Sequence, residues 1–351
     1  MSIESNNNEE ELVSIIILNY NGGDTLIECI DSIFNSTKEN FELILIDNNS
    51  SDQSHIRCKN KYDAIKIIKN NDNVGLGARN LGIEIAKGKF IILLDSDTLV
   101  QPLWISKFVE SYKKHGEGLF QPKLLDATDQ TIINSAGNMI NLCGQAFSRG
   151  KGQKDNGQFD KFEKISYTSG ACTFSTKKTI ERIGGIDSLF FAYHDDVDFG
   201  WRAQLLDIPS YYEPNISIFH KGSPTLQWSS KKFYYLERNR WICLLSLYSR
   251  KTFRRILPIL IIIEIGTIFY FIKNRMLIYK IKAFFSLIKI SKEIEIKRKN
   301  IEKIRKVSDI DVVKNFVDGF DVTAIISDKK LSNQINYTIL KLNKKIRKLI
   351  K

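Results

Sequence analysis

Short apolar runs alternate with helically spaced apolar positions through the first hundred residues. Residues 13–18 are mostly apolar and β-branched, and run into Asn19-Tyr20-Asn21-Gly22-Gly23. Leu26, Ile30, Ile33 and Phe34 follow at helical spacing. The run 41–46 ends at Asp47-Asn48-Asn49-Ser50, and 65–68 ends at Asn70-Asn71. A glycine-bearing helix over about 74–86 leads into the run 90–94, which ends at Asp95-Ser96-Asp97. Apolar runs of this length separated by helices predict buried strands of a doubly wound parallel sheet, joined by right-handed crossovers. Each run ends in Asn or Asp, so one edge of the sheet becomes a polar rim, where open α/β sheets take their ligands. Turn preference explains any one of these residues. Four in succession on one edge point to a nucleotide site.

Beyond about residue 101 the pattern is less regular. Gly, Asn and Gln are frequent over 134–157, which predicts loops and short antiparallel strands, with 151–160 as a polar mobile loop. The compact domain is expected to close near Arg250. Residues 256–272 are mostly apolar, bracketed by Arg254-Arg255 and by Lys273 and Arg275, and contain Pro258 and Glu264. A helix of that length falls short of the ~30 Å hydrocarbon core. A monotopic or re-entrant anchor with snorkelling basic flanks is the sharper reading; a buried core helix and a tilted single span are the alternatives. Leu277, Ile281, Phe284, Phe285 and Ile288 then share a helical face, with Lys280, Lys282, Lys289 and Lys292 largely elsewhere. That pattern suits a surface of acidic lipids, and 341–351 repeats it.

Charge sharpens this division. The net charge is +12, yet residues 273–351 hold 21 Lys/Arg against 8 Asp/Glu, whereas residues 1–272 hold 31 against 32. A neutral body argues against nucleic acid as a partner, and a basic tail favours an anionic membrane surface. The five cysteines (Cys29, Cys58, Cys143, Cys172, Cys243) are scattered and read as reduced thiols of a cytoplasmic protein. The polar, acidic segment 1–11 predicts a disordered amino terminus and no secretory signal.

Three blocks carry candidate chemistry. Asp95-Ser96-Asp97 at a strand end can hold a hard divalent cation, and through it a diphosphate. Asp195, Asp196 and Asp198 gather three carboxylates at a helix start. Like charges raise one another's pKa, and acidic residues are also stabilised at helix starts, so a general base and a structural cap are both open readings. His220, beside Gly222 after a predicted strand, could complete a metal site begun by Asp97, although a lone His is more often structural.

Taken together these blocks resemble the family 2 inverting glycosyltransferases of GT-A fold, a Rossmann-like α/β architecture. The matching segments include Ile46-Asp47-Asn48-Asn49-Ser50-Ser51-Asp52, Asn73-Val74-Gly75-Leu76-Gly77-Ala78-Arg79-Asn80, Leu94-Asp95-Ser96-Asp97 and Asp195-Asp196-Val197-Asp198. They run in family order over roughly 12–245, and the rhamnosyltransferase-like subgroup is the most similar. The resemblance implies a nucleotide-binding half over 12–100, an acceptor half over 101–250 and a helical membrane-associated region over 251–351. It implies that Asn19, Tyr20 and Asn21 line the nucleotide pocket and that Asp47 bonds the base, with Asn49 nearby. Gly75 and Gly77 would let the backbone approach the nucleotide, beside Arg79 and Asn80. Asp95 and Ser96 would face the ribose, while Asp97 and His220 would bind Mn²⁺ or Mg²⁺ on the diphosphate. Asp196 would be the catalytic base; Asp195 stands where the family more often has Glu.

Tyr234, Tyr235, Arg238 and Asn239 resemble a Tyr-Tyr-x-x-Arg-Asn block of that subgroup. Arg238 and Arg240 could meet the phosphates of a lipid carrier or serve as surface charges. The implied activity is inverting transfer from a UDP- or dTDP-sugar to a lipid-linked glycan at the cytoplasmic face of the membrane, in surface polysaccharide or glycoprotein glycan assembly. A sugar-1-phosphate nucleotidyltransferase and a silent nucleotide-sugar-binding scaffold are the alternatives. The first is disfavoured because the loop 19–23 has no Arg or Lys.

Overall fold

The computed structural model describes residues 11–222, 229–319 and 329–350. The expected disorder of 1–11 therefore lies almost wholly outside the described residues. The predicted alternation is observed: β1 (Val13–Asn19), α1 (Gly23–Ser36), β2 (Phe41–Asp47), α2 (Ser54–Lys61), β3 (Lys66–Lys69), a 3₁₀ turn (Gly75–Ala78), α3 (Arg79–Ile85) and β4 (Phe90–Asp95). β1 lies between β2 and β4, parallel to both, with β3 beyond β2. The register sets Asn19 opposite Asp47 and Leu18 opposite Asp95, so the polar strand ends are flush on one edge. Phe90 to Leu94 are fully enclosed by helices on both faces. Burial of each such side chain contributes roughly 1.5–3 kcal/mol.

The second half makes the sheet mixed. It adds β5 (Thr98–Leu99), α4 (Trp104–His115), β6 (Leu119–Asp126), β7 (Ile133–Ser135), the hairpin β8 (Asn138–Ile140) and β9 (Ala146–Ser148), and β10 (Glu163–Ile165). β11 (Cys172–Thr176), α5 (Lys177–Ile183), α6 (Asp195–Leu205) and β12 (Ser210–His220) follow. The main sheet runs β10-β12-β6-β11-β4-β1-β2-β3, and β11 is antiparallel to β4 and β6. β12 pairs with β5, setting His220 opposite Thr98. Helix α4 lies where an irregular stretch was expected. Trp104, Ile105, Phe108 and Ser111 are its buried face, a helical spacing present in the sequence.

The loop 151–160 is held rather than free. Gly152 N donates to Ile133 O (2.8 Å), Asp155 N to Thr131 O (2.7 Å), and the Lys123 ammonium pairs with Asp155 and Asp160. A buried lysine needs such acidic partners, and the loop supplies them.

Helices α7 (Ser230–Leu247), α8 (Arg250–Lys273), α9 (Leu277–Lys289), α10 (Ser291–Ile304), α11 (Asp309–Val312) and α12 (Lys329–Ile350) pack back on the body. Trp201 of α6 meets Tyr248 and Phe316 edge to face, each at 4.8 Å between ring centroids. Val197, Ile256, Ile294 and Ile346 share that core. The physical reason is that the tail helices are amphipathic, and their inner faces find apolar partners on α6 and α7. Lys297 of α10 also pairs with Asp187 and with Asp198 (2.7 Å), so Asp198 is a structural anion.

Among the described residues, α8 is the one helix long and apolar enough to cross a membrane. Ile256, Leu260, Ile263 and Phe271 are buried against the protein, whereas Ile261, Ile262, Ile265, Phe269 and Ile272 are exposed. Glu264 turns inward to Arg240 and Lys280, and Glu237 completes the cluster. Burial would raise the Glu237 carboxyl, but Arg240 and Lys280 outweigh it and hold it down at about 2. All five cysteines are buried and free.

Candidate active site

The flush strand ends open on a cavity of about 810 Å³. Its floor is the β4–β5 turn with Asp95, Ser96 and Asp97. Asp97 Oδ1 lies 3.3 Å from His220 Nε2, and Asn134 Oδ1 lies 3.2 Å from His220 Nδ1, fixing the ring. The ligand atoms of Asp95, Asp97 and His220 all lie within 4.8 Å of one another. Asp97 Oδ2 is buried without a hydrogen-bond partner among the described residues. Buried polar atoms are normally paired, and two carboxylates with an imidazole are a donor set suited to Mn²⁺ or Mg²⁺. Burial alone would lower the His220 pKa, but the bond to Asp97 and the nearby carboxylates raise it.

Arg79 ties the floor to the opposite wall. Its guanidinium pairs with Asp95, and Nη1 donates to Gly170 O at 3.1 Å. Asp95 is raised by burial and by Asp97, with Arg79 opposing. Gly170 N in turn donates to Asp196 Oδ2 (3.3 Å), and Val197 N donates to Asp196 Oδ1 (2.8 Å). Asp195 and Asp196 face the cavity from the first turn of α6. Burial pushes both up, Asp195 to about 8 with the Asp196 charge adding, and Asp196 only to about 6 because those two N–H groups oppose the shift. The two carboxyls interact, so they titrate as a pair and not as independent groups.

Of the residues singled out from sequence, Tyr20, Asn21, Gly75 and Arg79 line one wall. Asp95, Ser96, Asp97, Asp195, Asp196 and His220 line the floor and far wall. The others stand behind. Asp47 is fully buried; its carboxylate accepts from Asn19 Nδ2 (3.0 Å) and Ser50 N (3.2 Å), with His55 Nδ1 3.2 Å away. It does not reach the cavity, and neither does Asn19. Asn49 is exposed at φ +66 and turns outward, while its neighbour Asn48 lines the cavity and donates to Asn73 Oδ1 (2.8 Å) and Gly75 O (3.2 Å).

Asn80 clips Ile186 through both its backbone groups, and a Cβ on Gly77 would meet Ser188 at 3.1 Å. Both positions serve packing on the 186–188 loop. Gly75 is needed for a different contact from the one expected: at φ +74, its Cβ would stand 2.2 Å from Phe191 O. Arg238 donates to Leu189 O and Ser286 Oγ, and Arg240 is enclosed by Glu237 and Glu264. Neither guanidinium is free for a lipid phosphate, because each already answers buried acceptors. Lys151 and Lys232 also line the cavity and were not singled out; no local signal in the sequence marks them.

Residues 14–184 match the family model described as glycosyl transferase family 2. This chain carries a family 2 glycosyltransferase domain. The domain is 39% identical over 108 residues to an uncharacterized glycosyltransferase of Haemophilus influenzae, covering 30% of this chain and 33% of that protein. It is 46% identical over 89 residues to UDP-Glc:alpha-D-GlcNAc-diphosphoundecaprenol beta-1,3-glucosyltransferase WfaP of Escherichia coli, covering 25% of this chain and 36% of that one. The matches thus span about a third of the length of these curated relatives. A crystal structure of GalNAc-T7 with UDP, GalNAc and Mn²⁺ superposes with a TM-score of 0.57, covering 72% of this chain and 51% of that chain at 17% identity. That likeness concerns the fold, which is GT-A. A relative named as a glucosyltransferase does not single out the rhamnosyltransferase-like subgroup.

Proposed function

We propose that this glycosyltransferase moves a sugar from a UDP- or dTDP-linked donor to a hydroxyl of a lipid-linked glycan, with inversion at the anomeric carbon. The observation that carries the reading is the convergence of Asp196 and the Asp95–Asp97–His220 set on one cavity. Asp97 and His220, with Asp95 beside them, would hold Mn²⁺ or Mg²⁺. When bound, such an ion neutralises charge on the departing nucleoside diphosphate.

The remaining roles belong to the chain. Asp196, whose carboxylate is held by Gly170 N and Val197 N, takes the proton of the acceptor hydroxyl. The acceptor oxygen forms its bond to the anomeric carbon as the bond to the diphosphate oxygen breaks, and a single displacement inverts that carbon. Arg79 holds Asp95 and the Gly170 loop in register, so the floor and the base keep one geometry. Tyr20, Asn21 and Asn48 form the wall suited to a nucleoside.

The acceptor reading draws on WfaP, whose name specifies an undecaprenyl diphosphate-linked sugar, and on the outer faces of α8 and α9. Ile262, Ile265, Phe269, Phe284, Phe285 and Ile288 are exposed there, and residues 250–292 carry ten Lys/Arg with Glu264 as the single acid. An apolar face rimmed by cations suits an anionic bilayer. Because Glu264 and the inner face of α8 are committed to the protein, the enzyme would lie on the cytoplasmic leaflet rather than span it.

The test is release of nucleoside diphosphate from a panel of UDP-, GDP- and dTDP-sugars, with membrane lipid extract as acceptor and Mn²⁺ against EDTA. Metal-dependent release from one donor supports the reading. Donor binding without turnover under any of these conditions points to a silent scaffold.

A further inference from the structure

Helix α6 is entered through two left-handed residues in succession. Its cap residue, His194, is left-handed at φ +60 and makes no side-chain cap bond, and Tyr193 before it is left-handed at φ +64. Helices ordinarily start from an extended Ser, Thr, Asp or Asn. Two bulky residues in succession at positive φ are costly, and they persist only where surrounding structure over-determines them. The turn matters because Asp195 and Asp196 follow it directly.

What holds the turn is α7. Asn239 is fully buried, and its Nδ2 donates to Ala192 O (2.8 Å) and Tyr193 O (2.7 Å). Its Oδ1 accepts from Arg238 Nη1 (2.7 Å), and the same guanidinium nitrogen donates to Leu189 O (3.0 Å). One turn earlier, Tyr235 stacks on Phe191 at 5.6 Å and 18°. From the other side, Leu76 N donates to Phe191 O (3.0 Å). Both amide protons of Asn239 are spent on this loop, and no other residue type offers two donors and one acceptor in the same space.

We propose that Asn239 is a positioning residue for catalysis: by clamping Ala192 and Tyr193 it holds the left-handed turn from which the Asp195–Asp196 pair enters the cavity. Tyr235 and Arg238 complete the clamp. This gives the Tyr-Tyr-x-x-Arg-Asn block a role inside the protein instead of on a lipid phosphate. The inference rests on the reading of Asp196 as the base.

The test uses the full chain, with nucleoside diphosphate release from the donor that the wild type turns over. Asn239→Asp keeps the shape but turns two donors into acceptors facing two carbonyls. Leu244→Ala, a core change further along the same helix, is the stability control. Displacing a catalytic group by about an ångström can cost about a hundredfold in rate. Asn239→Asp and Asn239→Ala are therefore expected to lower kcat by that order and to move the acid limb of the pH profile. The donor KM should stay within about threefold, the signature of an interaction lost in the transition state. Leu244→Ala should lower Tm without that split. Tyr235→Leu, at a half-buried position, gives a smaller loss of the same kind and serves if the Asn239 variants do not fold.

A crystal structure of Asn239→Ala in which Tyr193 and His194 keep φ near +60°, or folded variants with the kcat of the control, would overturn the proposal. If instead Asp196→Asn keeps full activity, the base assignment falls. The crystal structure still reports whether Asn239 holds the turn.

Discussion

Asp97 and His220 face each other at 3.3 Å because the two-residue strand β5 pairs antiparallel with the end of β12, setting His220 opposite Thr98. Neither residue is placed by its own neighbours in sequence. Mn²⁺ binding in the presence of UDP, followed by electron paramagnetic resonance, should be lost in Asp97→Asn and weakened in His220→Ala. Asn134→Ala, which frees the His220 ring, should weaken it about tenfold, as loss of an orienting partner does. Equal Mn²⁺ affinity in all three variants would remove these residues from the metal site.

Asp196 must be ionised to accept a proton. With its carboxyl raised by burial to about 6, kcat/KM should fall about tenfold per pH unit below that value. Asp196→Asn should lower kcat by about 10²–10⁴ and abolish this limb. A pH profile flat down to pH 4 in the wild type would argue against the assignment.

Asp195 makes stability depend on pH. Burial raises its folded pKa above the unfolded value, so the folded state binds the extra proton and stability declines as pH rises from near 4 through about 8. Asp195→Asn should raise Tm more at pH 9 than at pH 4, at the expense of turnover. Thermal unfolding at the two pH values gives the difference, and an equal shift at both would contradict the buried acid.

The outer faces of α8 and α9 should bind vesicles containing phosphatidylglycerol and release them at high salt. Each of Phe269→Ser, Phe284→Ser and Phe285→Ser removes a large exposed ring, and full burial of such a ring contributes about 1.5–3 kcal/mol. Partition should therefore drop by about tenfold or more per substitution, read by flotation. Retention on the vesicles at high salt and alkaline pH would indicate a span instead.

Gly75→Ala tests the contact between the 3₁₀ turn and the loop that precedes α6. The backbone at φ +74 and a Cβ 2.2 Å from Phe191 O both oppose the methyl group. The left-handed term alone is about 1–2 kcal/mol, so urea unfolding should show at least that loss.

The parallel half was legible because its strands are buried on both faces and so read as unbroken apolar runs, each closing in Asn or Asp. Side-chain direction at those ends was not legible. Asp47 and Asn48 are adjacent, yet Asp47 turns into a buried network with Asn19 and Ser50 while Asn48 faces the cavity. Helix α4 carried a periodicity that was there to be read.

Composition and order in the chain determined the sheet, its polar rim, the Asp-x-Asp floor and the amphipathic tail, since each follows from local spacing and burial. The tertiary structure decided what depends on partners far away in sequence. It brought His220 to Asp97 through strand pairing, enclosed Arg240 with Glu264 and Lys280, and set Asn239 under the turn that carries Asp196. A charged or amide side chain has no preferred place until a donor or acceptor is brought to it, and only the packed chain does that.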